Sequence, residues 1–108
     1  MICKSKQFHQ YRIITIMEPE ANLEQAAGFK EFILNELTQG HTKLVVNFTH
    51  VVYVDSSFLA ALVSCMKQCL TLDAELSLIE LKEDVSDLFK LIRLDKVFTI
   101  YTTAENLP

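Results

Sequence analysis

Apolar positions along this chain repeat at two different spacings, and the switches between them mark out the elements. Residues 11–17, Tyr-Arg-Ile-Ile-Thr-Ile-Met, are rich in β-branched and aromatic side chains and predict a strand. Residues 2–6 predict its hairpin partner, with Phe8-His9-Gln10 as the connection. Glu18-Pro19-Glu20 ends the strand, because proline removes a donor and fixes φ. Asn22 with Gln25 three residues on predicts a capping box that opens a helix. Along that helix Leu23, Ala26, Ala27, Ile33, Leu34 and Leu37 share one face at the helical period, which is expected to be the core face. Phe32 projects to the far side, either covered by the chain termini or exposed as contact surface, and Gln39-Gly40 supplies the stop.

The run at 44–48, Leu-Val-Val-Asn-Phe, is nearly continuous, as expected of a central strand. Thr49-His50 breaks it, and residues 51–54 run extended into Asp55-Ser56-Ser57, three residues that all favour the N-cap position. A second helix is therefore predicted from Ser57 to about Leu70. Its core stripe is Leu59, Leu62, Val63, Met66 and Leu70, with Phe58, Cys65 and Cys69 along one margin. Residues 74–81 alternate as a strand. Asp84 is expected to cap a short helix with Val85, Leu88, Phe89 and Ile92 inward, residues 97–101 form a last strand, and 103–107 begin a helix. After the opening hairpin, strands alternate with helices. That order predicts an α/β fold: a single small mixed β-sheet of four to five strands, largely parallel, with helices packed mainly on one face.

Composition narrows the classes of function. With 108 residues, half of them hydrophobic and 22% charged, the chain is expected to form one domain spanning 1–108 and not to be disordered. The net charge of −4 is spread without a basic cluster, so nucleic acid and anionic membrane are poor candidate partners. No apolar run reaches the length of a membrane span, and Met1-Ile2-Cys3-Lys4-Ser5-Lys6 lacks the hydrophobic stretch of a signal peptide. A cytoplasmic protein is expected, and three cysteines outside any disulfide-framework spacing fit a reducing compartment.

Motifs for chemistry are sparse. There is no glycine-rich phosphate loop, no Cys-x-x-Cys and no His-Glu-x-x-His. Cys65 and Cys69 sit at helical spacing, but no third or fourth ligand follows in a motif, so core packing is expected and neither metal nor cofactor. A serine nucleophile needs a base, and only His9, His41 and His50 carry an imidazole; His50, nearest in sequence to Ser56, reads as a surface loop residue. No catalytic residue is assigned and no enzyme is expected. Asp55-Ser56-Ser57 has two readings. The three residues are accounted for by helix capping alone; alternatively, a phosphate on Ser56 would add roughly −1.5 to −2 charges at a surface where a partner docks.

Two stretches carry a resemblance. Residues 44–48 followed by Val51-Val52-Tyr53-Val54-Asp55-Ser56-Ser57-Phe58-Leu59 resemble the signature of STAS domains, in particular the bacterial anti-sigma factor antagonists. Residues 84–98, ending Leu94-Asp95-Lys96-Val97-Phe98, are similar to that family's third helix and final strand, and the likeness spans about 11–103. The resemblance implies the STAS fold and a domain that performs no catalysis itself. It implies that Ser56 is phosphorylated by a partner serine kinase that is also the anti-sigma factor, and that a phosphatase reverses this. The unmodified form binds and the phosphorylated form lets go. Asp55, Ser56, Ser57 and Phe58 are then the expected partner-binding residues, in a monomer or weak dimer. The family usually has glycine at the position of Phe58, whose ring would either narrow access to Ser56 or make a contact of its own. The alternative is a STAS scaffold module of a signalling assembly or a transporter accessory, in which Asp55-Ser56-Ser57 only shapes the docking surface.

Overall fold

The computed structural model describes residues 3–108; Ile2, expected in the first strand, lies outside the described residues. The chain opens with a hairpin of strands β1 (Cys3–Phe8) and β2 (Tyr11–Ile16), registered from Cys3 opposite Ile16 to Phe8 opposite Tyr11. Its two-residue turn places His9 at φ 55°, the left-handed conformation that tight hairpins demand. A two-residue strand β3 (Glu20–Ala21) precedes helix α1 (Leu23–Thr38). Next come β4 (Lys43–Asn47), another two-residue strand β5 (Tyr53–Val54), and helix α2 (Ser56–Thr71). Strand β6 (Glu75–Ile79), helix α3 (Glu83–Leu91) and strand β7 (Thr99–Tyr101) complete the regular elements, and a 3-10 turn at Ala104–Asn106 replaces the helix expected there.

Strands β1-β2-β4-β6-β7 form one five-stranded sheet, parallel except for the opening hairpin. Side chains alternate across it as the two-residue period requires. Ile14, Ile16, Leu44, Val46, Leu76 and Leu78 face the helices and meet Phe29, Phe58, Leu62 and Phe89 in the main core. Tyr11, Ile13, Val45 and Ile79 face the other way, where no α-helix lies; Phe8, Tyr101, Ala104 and Leu107 cover them, and Tyr11 Oη donates to the Pro108 carbonyl at 2.9 Å. The expected layout of helices on one face is observed, with the chain end serving as the lid of the reverse face.

Helix α1 is rotated from its expected phase, and α2 departs from its own chiefly at Leu70. In α1 the buried positions are Phe29, Ile33 and Glu36, and Phe32 packs against the core instead of pointing away. Leu23 and Leu34, expected inward, are 69% and 47% exposed. Glu36 can share the inward face with Phe29 and Ile33 because its partners come from other segments: Arg12 on β2 donates to its carboxylate at 3.1 Å and His41 lies 3.7 Å from it. In α2 the buried line is Phe58, Leu59, Ala61, Leu62, Cys65 and Cys69; Val63 and Met66 of the expected stripe also pack against the core, while Leu70 is exposed. Small Ala and Cys side chains form the inward line because α1 packs close against it, with the Phe29 and Phe58 ring centroids 4.8 Å apart.

Capping differs in detail as well. Asn22 caps α1 by accepting from the Glu24 amide at 3.0 Å, but Gln25 completes no capping box, and its buried Oε1 has no partner among the described residues. Asp84 is not a cap; it lies in the first turn of α3, whose N-cap is Lys82. Gly40, at φ 92°, ends α1 as expected.

Candidate functional site

The site is built on the short parallel ribbon of β3 and β5, which pairs Glu20 with Tyr53 and Ala21 with Val54. The Val52 amide donates to the Pro19 carbonyl at 2.8 Å and the Asp55 amide to the Ala21 carbonyl at 3.1 Å, which brings the starts of α1 and α2 side by side. Asp55 then joins them. Its Oδ1 accepts from the Phe58 amide at 2.9 Å, capping α2, and its Oδ2 accepts from the Leu23 amide at 2.9 Å, at the first residue of α1. One carboxylate thus satisfies an orphan donor of each helix and sits at the positive ends of two helix dipoles.

This fixes what the neighbours do. Ser56 is the first residue of α2 and is exposed; its hydroxyl makes no hydrogen bond among the described residues. Ser57 is partly covered. Phe58 occupies the third position of the helix, turned inward and fully buried against Phe29. The expectation that Phe58 contacts a partner is therefore corrected: its ring neither screens Ser56 nor offers a surface, because a helix that starts at Ser56 points its third residue into the core. Three exposed apolar residues lie near Ser56 instead. Val52 and Tyr53 on the segment leading into Asp55 are 56% and 52% exposed, and Leu23, hydrogen-bonded to Asp55 through its amide, is the third. Sequence reading missed this group. The pairing of inward Ala21 and Val54 leaves Tyr53 outside, but that pairing joins distant segments and leaves no local signal in the sequence.

A family model described as the STAS domain matches residues 8–107. The chain belongs to the STAS domain family. A Thermotoga neapolitana protein named as a candidate anti-sigma factor antagonist is 27% identical over 92 residues, covering 84% of this chain and 81% of its own. The crystal structure of a Thermotoga maritima protein with the same description matches with a TM-score of 0.82 at 25% identity, covering 95% of this chain and 88% of that one. The Bacillus cell fate determinant SpoIIAA in its phosphorylated form matches with a TM-score of 0.70 at 16% identity, covering 96% of this chain and 95% of that one, a likeness of fold.

The remaining chemistry-bearing side chains of this STAS domain lie elsewhere. His9 sits in the hairpin turn, His41 beside Glu36, and His50 is exposed in the loop after β4; none hydrogen-bonds to Ser56. Burial pushes the Cys65 thiol up to about 12, with Cys69 adding to the shift, and burial alone pushes Cys69 up to about 11. Both are protonated, packing side chains at neutral pH. Among the described residues there is no group of three or more His, Cys, Asp or Glu that could hold a metal, and no helix long and apolar enough to cross a membrane.

Proposed function

We propose that this STAS domain is a protein-binding switch of the anti-sigma factor antagonist type, with Ser56 as the phosphate acceptor. In this reading the unmodified domain binds an anti-sigma factor that is also the serine kinase, phosphorylation of Ser56 releases it, and a phosphatase restores binding. The observation that carries the reading is the exposed, unbonded Ser56 hydroxyl at the start of α2, beside Leu23, Val52 and Tyr53.

The geometry supports a change of surface without a change of fold. The first bond of the α2 ladder runs from the Leu59 amide to the Asp55 carbonyl, so the Ser56 and Ser57 amides precede it and face an added phosphate. Asp55 opposes the new charge, but both of its oxygens are held by backbone amides, so it stays in place. A partner packed on the apolar neighbours would instead meet roughly −1.5 to −2 charges, and an unpaired charge at an interface costs several kcal/mol. At about 1.4 kcal/mol per tenfold, affinity falls by a hundredfold or more.

The test is a binding series with the serine kinase of the same cell. Ser56→Ala should bind at least as tightly as the unmodified protein and take up no phosphate by intact-mass measurement with ATP. Ser56→Glu should lose roughly a hundredfold in affinity with unchanged far-UV circular dichroism. Equal binding by all three proteins would overturn the switch and favour the scaffold role.

A further inference from the structure

Charge that reads as evenly spread along the sequence is sorted to two ends of the folded chain. The stretches that supply the Ser56 face, residues 13–29 and 44–66, hold no lysine or arginine but carry Glu18, Glu20, Glu24 and Asp55. Because Ala21 and Val54 point inward, the paired Glu20 and Tyr53 point outward side by side, and Glu24 follows the exposed Leu23 in the first turn of α1. None of the three glutamates has an ion pair among the described residues. Lys82, brought to the loop after β4, has its ammonium on the Thr49 carbonyl.

Helix α3 runs from that edge of the sheet to the opposite one, and its end has the reverse character. Across residues 90–97, where a 3-10 turn at Leu94–Lys96 follows the helix, Lys90, Arg93 and Lys96 are exposed together with Leu91, Ile92 and Val97. Leu91, at 79%, is the most exposed large apolar side chain among the described residues. The one acid of the stretch, Asp95, is partly covered, and Asp87 a turn earlier in α3 still leaves the exposed charge positive. Glu75, level with Val97 by the β6–β7 register, is paired with Lys43 at 3.8 Å. Both ends thus expose three apolar side chains, one set among carboxylates and the other among cations.

We infer that a second copy of this chain docks head to tail, the 90–97 end of one copy on the Ser56 face of the next, apolar on apolar, with Arg93 and Lys96 toward Glu20 and Glu24. The two patches differ and lie at opposite ends of the molecule, so the contact leaves a free patch on each side and copies add in a row. The net charge of −4 opposes this at a distance, but it is screened beyond about 8 Å at physiological ionic strength, whereas rims of opposite sign in contact are not. Both patches are small, which places the contact among weak, transient associations. The inference goes beyond the switch reading and needs no kinase; a seated copy covers the Ser56 hydroxyl.

The test uses the purified full chain alone, by sedimentation velocity from micromolar to millimolar concentration. The weight-average mass should climb past that of two copies, and about 1 M NaCl should return it toward the monomer. Amide shifts of the 15N-labelled chain should move with concentration at 20–24 and 52–56 and also at 90–97. Glu20→Lys with Glu24→Lys, and separately Arg93→Glu with Lys96→Glu, should each stay monomeric with unchanged far-UV circular dichroism. An equimolar mixture of these two proteins should associate again, because each reversed end then meets its opposite. Tyr53→Ser, which alters no charge, should weaken association several-fold. The inference is overturned by a monomer at every concentration, by a mass that levels off at two copies, or by shifts confined to one end. It is also overturned if either reversed protein or Tyr53→Ser associates as before, or if the mixture is no heavier than its components.

Discussion

Helices α2 and α3 both begin at the carboxyl edge of the parallel sheet, yet their first turns are held by different means. At α2 the N-cap Asp55 is bonded through both carboxylate oxygens, to Phe58 and to Leu23 across 32 residues of sequence. At α3 the N-cap is Lys82, which makes no side-chain cap; its ammonium instead donates to the Thr49 carbonyl, and Glu83 and Asp84 offer the dipole only unbonded charge. In each helix the third residue is the inward anchor, but α2 uses Phe58 where α3 uses Val85. One start is clamped through both oxygens of its N-cap, and the other has no side chain on its first amides. The clamped start is the one that carries the exposed serine, as a site needs if its charge is to change while its backbone stays put.

Three comparisons set these two helices against each other, and a fourth sets the end of α3 against that of α1. The largest effect is expected at the anchors. Phe58→Ala should cost about 4 kcal/mol and Val85→Ala roughly half of that in chemical denaturation, and equal losses would mean that the α2 anchor has no special weight. At the caps, Asp55→Ala should cost about 2 kcal/mol and lower Tm by roughly 8 °C, whereas Asp84→Ala should cost about 0.5 kcal/mol. A cap loss at Asp55 no larger than at Asp84 would break the contrast.

An effect confined to alkaline pH comes next. The thiols of α2 are raised by burial from 9.0 to about 12 at Cys65 and about 11 at Cys69, so the folded chain keeps protons that the unfolded chain gives up. Their contribution is fully present below pH 9 and is lost as pH climbs toward 12. Stability measured from pH 8 upward should fall, and Cys65→Ala should flatten that fall; the inward Val85 and Phe89 of α3 carry no titrating group. The smallest effect concerns how helices end. Gly40 closes α1 at φ 92° without strain, but Arg93 follows α3 at φ 66°, a conformation costly for a residue with Cβ. Arg93→Gly should therefore stabilise the domain by about 0.5 kcal/mol in thermal melts, net of the entropy that glycine adds to the unfolded chain.

Much of this architecture was legible in local sequence. Strands at 11–17, 44–48 and 74–81 announce themselves by β-branched runs and alternation, and Asp55-Ser56-Ser57 marks a helix start within one residue of where it falls. What local reading misses depends on partners distant in the chain. Glu36, charged and yet buried, has its partner Arg12 24 residues away on β2, and Phe29, absent from the expected core face of α1, has its ring partner Phe58 on α2. The β3–β5 ribbon has two residues per strand, too few for any periodicity, and exists because Pro19 and Ala21 accept from the segment beyond β4. Asp55 reads as the cap of the helix it precedes; nothing nearby reveals that it also holds α1. The exposure of Leu23, Val52 and Tyr53 follows from that arrangement and was equally out of view.

Because Asp55 is held by a backbone amide on each oxygen, its position is set from within the fold. In the proposed switch, discrimination between one interlocutor and another is assigned to the exposed Leu23, Val52 and Tyr53, whose side chains do not hold the two helix starts together as Asp55 does. On that proposal, retargeting this domain is a matter of rewriting three greasy side chains around an unaltered aspartate and serine.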